Sequence, residues 1–461
     1  MEFVPPDTTT ETTDLRSIVS NQTRDDEQTD YVMSELGTAG VDSAWELAAV
    51  DTDRVAEGSL LESQFINELL ESVRDSIKGY LVTYTVVEAW RWRVADPPCA
   101  DTPTEWPMFG GTQNNMRWGS LISPLETGET KWEFTTDDDV RSSPAVNGHL
   151  VLIGCDDGLV YGVNIVSGDT VWEYRPNTYV GKPVGRFRSS PTVTQSVLLL
   201  GRDAGELYAL SSKSGSEQSK FKTENRIRTS PAVADGKVYI VGDSGKLHAK
   251  YIDRPDTYWT YHVGNKVRSS PAVSRDTVYF GCRDKHLYAI DAETGEEDWV
   301  LNTGAIVDSS PAVDGSHVYI GNDEGVIYSV DKQTGEVQWQ YETGNTVTSS
   351  PAIVGNTVYY GNDDGNFYAL NVDNGDEEWS QGFNSSVKIR YSPAIAEGFV
   401  FCANYDSLYA LHPSTRDVVW SYSDHRIRSS PTVAHGTVFI GTEDGVSANK
   451  GVTGESDHLD V

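Results

Sequence analysis

Hydrophobic and polar residues alternate along most of the chain after residue 101, which is the period of β-strands with one buried face. The segment 317–331, "HVYIGNDEGVIYSVD", shows two such runs around a G-x-D-x-G turn. In this turn glycine supplies a positive φ and the aspartate caps the backbone. Between Ser59 and Lys78 apolar residues recur every four residues instead, which predicts an amphipathic helix. The pattern therefore predicts a short helical region followed by an all-β region.

The all-β region is built from a repeated unit that begins with segments such as "SSPAV". Eight copies are present, and four of the seven intervals between their prolines are 40 residues long. Each copy predicts four short strands, A to D, and strand D usually carries a tryptophan. Eight four-stranded units of this length predict an eight-bladed β-propeller. The prolines are Pro144, Pro191, Pro231, Pro271, Pro311, Pro351, Pro393 and Pro431.

The two ends of the repeat array predict how the ring closes. An unmatched D strand, "ETGETKWEF", precedes the first copy, and the last copy has no tryptophan strand of its own. Eight complete blades result only if the strand of Trp132 completes the eighth blade. Such a closed ring leaves no open sheet edge.

The chain divides into three predicted regions. Residues 1–40 are expected to form a disordered acidic tail, 41–100 a small helical or mixed segment with a linker, and 101–461 the propeller. The predicted docking tryptophans of the D strands are Trp132, Trp172, Trp259, Trp299, Trp339, Trp379 and Trp420.

Charge and cysteine content narrow the classes of partner. With 69 acidic and 36 basic residues the formal net charge is -33, which disfavours nucleic acid and anionic lipid. A charge this large repels itself, and this repulsion falls when the Debye length shrinks to about 3 Å near 1 M salt. The charge therefore also predicts a salt-loving host. No transmembrane segment or export signal is evident, so the chain as written is expected to be a cytoplasmic monomer. The four cysteines show no metal, haem or disulfide spacing.

Three segments resemble the tryptophan-docking repeat of quinoprotein-type (PQQ-like) propellers: "AIDAETGEEDW", "SVDKQTGEVQW" and "ALNVDNGDEEW". In that family each tryptophan packs between neighbouring blades. The segment "WPMFGGTQNNMRWG" is similar to the opening segment of haloarchaeal members. The family includes quinone-dependent dehydrogenases and non-enzymatic scaffolds of the BamB type, and similar proteins are often exported or lipid-anchored.

For a dehydrogenase, the resemblance implies PQQ, calcium, an aspartate base and an adjacent cysteine pair. The chain has no such pair, so no cofactor is predicted. The alternative, a PQQ- and calcium-dependent dehydrogenase, would use Asp308 as its base. Asp308, Asp323 and Asp363 lie in the two copies without an arginine before strand A. They are the candidate metal ligands, and the alternative is that they are solvated acids on a halophilic surface.

Basic residues precede most A strands, on the face where the B–C turns are expected. Two interpretations stay open for them. They bind a protein partner or an anionic small molecule at an arginine-lined channel face, or they join neighbouring blades by pairing with turn acids. The candidate ligand-binding residues are Arg141, Arg188, Arg228, Arg268, Arg390 and Arg428, with Lys182 and Arg186 in the longest connection. The candidate turn acids are Asp156, Asp203, Asp243, Asp284, Asp406 and Glu443. A non-enzymatic binding or scaffold protein is the predicted function.

Overall fold

The computed structural model describes residues 118–119, 129–176, 185–194, 196–252, 257–383, 387–396 and 399–450. The predicted tail at 1–40 and the segment at 41–100 lie outside these residues. The regular elements in the described ranges are β-strands, arranged in eight sheets. Within the same ranges no helix has the length and apolar character needed to cross a membrane.

Each sheet is one blade, numbered here after the repeat that supplies its A strand. The first strand, β1, is Trp118–Gly119, and β2 is Thr130–Thr135. Blades one to four contain β3 Ala145–Asn147, β4 Leu150–Gly154, β5 Val160–Asn164 and β6 Thr170–Tyr174; β7 Thr192–Thr194, β8 Val197–Arg202, β9 Glu206–Ser211 and β10 Glu217–Lys222; β11 Ala232–Ala234, β12 Lys237–Ile240, β13 Lys246–Tyr251 and β14 Thr257–His262; β15 Ala272–Ser274, β16 Thr277–Gly281, β17 His286–Asp291 and β18 Glu297–Asn302.

Blades five to eight continue the same order. They contain β19 Ala312–Val313, β20 His317–Gly321, β21 Val326–Asp331 and β22 Val337–Glu342; β23 Ala352–Val354, β24 Thr357–Gly361, β25 Asn366–Asn371 and β26 Glu377–Gly382; β27 Ala394–Ala396, β28 Phe399–Ala403, β29 Leu408–Leu411 and β30 Val418–Tyr422; β31 Thr432–Ala434, β32 Thr437–Gly441 and β33 Gly445–Lys450.

The ring closes as the sequence predicts. The eighth sheet has the order β2-β33-β32-β31, so the N-terminal strand β2 supplies its outer position. Trp132 pairs with Ala448 in the antiparallel ladder between β2 and β33. The eight-bladed propeller of four-stranded sheets is therefore confirmed, and its first and last repeats are held together in one blade.

One strand was not anticipated. The backbone of β1 pairs in parallel with β27, with Trp118 opposite Ile395 and Gly119 opposite Ala396. Because β27 is the inner strand of blade seven, this adds a fifth strand at the inner edge of that sheet. The backbone of residues 118–119 thus pairs with the inner edge of blade seven.

The second serine of the SSP motif builds a closed ring of hydrogen bonds. Its backbone N–H donates to the serine Oγ of the next repeat, as in the 2.9 Å bond from Ser143 N to Ser190 Oγ. The last bond, from Ser430 N to Ser143 Oγ at 3.2 Å, joins blade eight to blade one. All eight links are 2.9–3.2 Å long, and they connect Ser143, Ser190, Ser230, Ser270, Ser310, Ser350, Ser392 and Ser430 in turn. The backbone N–H groups of these serines are buried, and leaving them without hydrogen-bond partners would reduce the stability of the fold. The ring of hydrogen bonds provides each of them with a partner.

The tryptophans pack between blades, as the resemblance implies. The Nε1 atom of Trp299 donates to the carbonyl of Lys332 in the next blade at 3.0 Å. Its indole also covers Gly335, whose φ is +75° and where an added Cβ would lie 2.8 Å from the ring. The same contact occurs between Trp132 and Gly168, Trp172 and Gly215, Trp259 and Gly295, and Trp339 and Gly375. The glycine of each of these C–D turns is thus required by both its φ and its indole neighbour.

The contact between blades two and three is different, because strand β10 has Ser219 where the other D strands have tryptophan. Phe221 lies there against the edge of His248, and the ammonium of Lys250 stands 3.4 Å from the phenyl centroid. Burial, together with the charges of Lys246 and Lys250, lowers the pKa of His248 to about 4. This contact therefore depends on a neutral imidazole.

Lowering the pH from about 6.5 to about 4 is expected to reduce the free energy of unfolding by about 2 to 3 kcal/mol through this residue. Over that range the unfolded chain binds a proton at His248 and the folded chain does not, so stability is lost as pH falls. Five other repeats have tyrosine at this position, which makes His248→Tyr a matched variant that should lack the slope: Tyr161, Tyr208, Tyr288, Tyr328 and Tyr368. Urea unfolding of both proteins across the range provides the test. Parallel pH dependences would contradict it.

Candidate functional site

Residues before each A strand alternate between a buried and an outward side. Positions are counted from the proline of the repeat, so that Val307 is at position -4 of repeat five. Val307 is fully buried and packs on Gly281 of the preceding blade, where an added Cβ would lie 2.2 Å from it. The side chains at positions -3 and -5 face away from this contact. At position -5 the basic side chains are exposed: Arg186, Arg226, Lys266, Lys388 and Arg426.

Arginines at position -3 pair with an acid at position +12 of the preceding blade. The guanidinium of Arg188 donates from Nη2 to Asp156 at 2.7 Å, and the Asp156 side chain is 1% exposed. The corresponding pairs are Arg228 with Asp203 at 2.8 Å, Arg268 with Asp243 at 3.2 Å and Arg390 with Asp363 at 2.6 Å. These four arginines therefore join neighbouring blades, which is the second of the two interpretations left open by the sequence.

The contact between blades four and five carries the same pair with its charges exchanged. Position +12 of repeat four is Arg283, and it donates to both carboxylate oxygens of Asp308, at 2.8 and 2.5 Å. The predicted turn acid of this repeat, Asp284, instead accepts a hydrogen bond from Tyr288 at 2.8 Å. The expectation that Asp284 pairs with an arginine at this turn was therefore wrong, because it lies one position too far along the turn.

Blades seven and eight meet through an aromatic ring. Position +12 of repeat seven is Tyr405, and the guanidinium carbon of Arg428 lies 4.6 Å from its ring centroid. Arg428 also approaches Asp139 at 3.2 Å and Glu443 at 3.7 Å. The predicted turn partner Asp406 is thus replaced by a cation–π contact with Tyr405.

Asp156 is the most heavily shared acid of the series. Besides Arg188 it accepts from Arg141 Nε at 3.1 Å and lies 3.5 Å from Arg186 Nη1. Arg141 also pairs with Asp139 at 2.5 Å. Three guanidinium groups thus converge on one buried carboxylate beside the blade where the ring closes.

The contact between blades five and six has no such pair. Thr348 stands at position -3 in place of arginine, and Asp323 is the acid at position +12. Asp323 Oδ1 and Thr348 Oγ1 are both buried without a hydrogen-bond partner among the described residues. Burial and the charge of Asp308 raise the pKa of Asp323, whereas at Asp363 the hydrogen bonds from Arg390 and Lys388 outweigh burial and lower the pKa.

Replacing Thr348 by arginine should stabilise the ring. Six repeats already carry arginine at position -3, so the backbone accepts it, and the new guanidinium would reach the unpartnered oxygen of Asp323. We expect a gain of about 1 to 2 kcal/mol in the free energy of unfolding, measured with urea. Thr348→Arg combined with Asp323→Asn should lose the gain. An equal gain in both variants would show that the arginine acts elsewhere.

Two of the three candidate metal ligands, Asp308 and Asp363, are already ion-paired, and Asp308 is also the candidate catalytic base. Asp308 accepts two hydrogen bonds from Arg283, and Asp363 accepts from Arg390 and from Lys388 at 2.8 Å. A cation such as calcium would have to displace these groups, and only Asp323 of the three lacks a basic partner among the described residues. Asp138, Asp139 and Asp156 lie close enough together to hold a metal ion, but arginines already bind the last two.

The cysteines show no resemblance to an adjacent pair over a quinone. Cys155, Cys282 and Cys402 are free, buried and in three different blades. Burial raises the pKa of the Cys282 thiol to about 12, so it remains protonated. The described residues therefore do not fit the calcium and quinone site that the resemblance implies for a dehydrogenase.

A cleft opens where blades two and three meet, and we call it the 2/3 cleft. Its volume is about 440 Å³. Its lining residues are Gly185, Arg186, Arg188, Asp203, Ala204, Arg226 and Arg228. The cleft brings together three of the predicted ligand-binding arginines with Arg226. Lys182, the fourth predicted residue in this region, lies outside the described residues.

The sheet order, the repeated tryptophan contacts and the ring closure define a PQQ-type propeller. The family model described as "Outer membrane protein assembly factor BamB" matches residues 119–221 and 203–422. The chain therefore belongs to the BamB family. No curated protein sequence matches it.

Solved structures with this fold have different activities. BamB from Moraxella catarrhalis is 19% identical with a TM-score of 0.60, and the match covers 71% of this chain and 99% of that one. A europium-containing methanol dehydrogenase is 14% identical with a TM-score of 0.63, covering 75% and 91%. The quinohemoprotein alcohol dehydrogenase from Comamonas testosteroni is 13% identical with a TM-score of 0.63, covering 78% and 82%. At such identities the likeness concerns the fold alone.

Proposed function

We propose that the protein is a non-enzymatic binding propeller whose basic residues at position -5 hold an acidic segment of a partner protein or another anionic ligand. One observation carries this proposal. Most arginines at position -3 pair with an acid across the contact between neighbouring blades, which we call the seam, whereas the five basic side chains at position -5 are exposed and, within the described ranges, only three of them reach an acid: Arg186, Lys388 and Arg426. Lys266 and Arg226 have no acid within ion-pair distance among the described residues. On a chain of net charge -33, this layer of exposed basic residues at position -5 creates a local positive potential that attracts anions.

Membership in the BamB family supports a scaffold role, and the occupied carboxylates Asp308 and Asp363 argue against the alternative, a PQQ- and calcium-dependent dehydrogenase. An oligoglutamate peptide with a fluorescent label is a suitable probe for the binding function. Fluorescence anisotropy should show binding at low salt that weakens steeply near about 1 M salt.

Two triple variants with equal charge change provide the comparison. Arg226→Gln, Lys266→Gln and Lys388→Gln together should weaken peptide binding by roughly tenfold or more. Lys213→Gln, Lys220→Gln and Lys222→Gln remove exposed charges from blade two away from position -5 and should leave it unchanged. Equal effects would overturn the proposal. Stoichiometric binding of PQQ with calcium, accompanied by alcohol-dependent dye reduction, would establish the dehydrogenase instead.

A further inference from the structure

The 2/3 cleft has an excess of positive charge that its own contacts do not compensate. Four arginines and one acid line it. Arg228 pairs with that acid, Asp203, and Arg188 pairs with Asp156 of blade one. Arg186 only reaches the already shared Asp156 at 3.5 Å. Arg226 lies within ion-pair distance of no acid in the part of the chain that the structure describes.

Comparison between the repeats shows why the charge remains here. Six of the eight repeats place a second acid at position +13, directly after the turn residue that pairs across the seam: Asp157, Asp284, Glu324, Asp364, Asp406 and Asp444. Repeat two has Ala204 at this position, and Ala204 lines the cleft. Repeat three also lacks the acid, at Ser244, but the repeat after it carries Lys266; only at the seam between blades two and three do both adjoining repeats carry arginine at position -5.

A buried guanidinium lies behind the cleft wall. Arg202 is 2% exposed, and its Nε donates to the carbonyl of the lining residue Gly185 at 3.2 Å. Its Nη1 donates to Glu206 and Tyr208, each at 3.3 Å. Nη2 has no hydrogen-bond partner among the described residues. Arg202 forms an ion pair with Glu206, so the charge that remains uncompensated at the cleft is that of Arg186 and Arg226.

We propose that the 2/3 cleft binds a doubly charged oxyanion, a phosphate group or a dicarboxylate, through the guanidinium groups of Arg186 and Arg226. Planar guanidinium groups bind such oxygens with two hydrogen bonds each, and a dianion compensates both charges whereas a monoanion leaves one unpaired. The inference rests on the proposed function and specifies the ligand class for one part of its basic layer.

The test is calorimetric titration of the full chain with inorganic phosphate, succinate and acetate at low ionic strength and about pH 8, where phosphate carries two negative charges. Phosphate or succinate should bind saturably at one site per chain, and acetate more weakly. Arg226→Gln should weaken that binding by roughly tenfold or more. Ala204→Asp should do the same, and it restores the residue type that other repeats tolerate at this exposed position.

Lys213→Gln is the matched control, since it removes an exposed charge from blade two outside the cleft lining, and it should leave dianion binding unchanged. Urea unfolding of each variant shows that the fold is retained. The inference is overturned if no dianion binds, if acetate binds equally well, or if Lys213→Gln weakens binding as much as Arg226→Gln. Loss of dianion binding with intact oligoglutamate binding would refute this inference and leave the proposed function standing. Dianion binding without oligoglutamate binding would support this inference and refute an acidic protein segment as the ligand of the proposed function.

Discussion

Asp156→Asn is expected to lower the free energy of unfolding by about 3 kcal/mol, because removing one partner of a buried charge cluster leaves the other charges uncompensated. The carboxylate is 1% exposed and forms ion pairs with Arg141, Arg186 and Arg188. The asparagine amide has nearly the same volume as the carboxylate, so no cavity forms. The lost free energy of unfolding therefore measures the effect of removing the charge. Urea unfolding at low salt measures it.

The control is Asp243→Asn in blade three. Asp243 forms a single pair with Arg268 at 3.2 Å, and its side chain is 10% exposed, so we expect a loss of about 1 kcal/mol. Near about 1 M salt, part of the loss at Asp156 should be recovered because repulsion among the three arginines is screened. Similar losses in both variants, or a loss at Asp156 that salt does not change, would contradict the role of the cluster.

The propeller and its closure could be predicted because they depend on local patterns that repeat. Alternation with period two identifies the strands, and the interval of 40 residues identifies the blades. The unmatched strand of Trp132 predicts the mixed eighth blade, and its pairing with β33 confirms it. The parallel pairing of β1 with β27 could not be predicted in this way, because it rests on two residues outside the repeat.

The seam partners were predicted less well, and the reason is one of alignment. The G-x-D-x-G pattern points to the acids Asp284 and Asp406, but the neighbouring residues Arg283 and Tyr405 make the contact. Counting twelve residues from each proline identifies the correct side chains, because the hairpin length fixes which residue faces the next blade. The exchange of charges between Arg283 and Asp308 then becomes visible in the sequence.

The charge of the 2/3 cleft shows what a single motif cannot predict. Arginine before "SSP" occurs in most repeats, and in most of them a seam acid neutralises it. Repeats two and three both lack the acid, at Ala204 and Ser244, and what distinguishes repeat two is that both flanking residues at position -5 are arginines, Arg186 and Arg226. These residues are distant in sequence, and only the ring geometry places them around one cleft.

Trp299→Ala is expected to cost about 3 to 5 kcal/mol in the free energy of unfolding, because it removes a large buried aromatic group from the seam between blades four and five. The indole is 9% exposed, packs against Tyr279 with a centroid distance of 5.8 Å and donates to the Lys332 carbonyl. Phe221→Ala, at the seam without a docking tryptophan, should cost less because Phe221 is only partly buried.

A double-mutant cycle separates the docking contact from general loss of packing. In the wild type, Gly335→Ala introduces strain at a φ of +75° and also brings a Cβ to 2.8 Å from the Trp299 indole. In the Trp299→Ala background only the φ strain remains, at about 1 kcal/mol, so the two substitutions should be less than additive. Urea unfolding of the four proteins measures this coupling. Simple additivity would mean that the indole does not constrain Gly335, and that the T-G turn requires glycine for its backbone conformation alone.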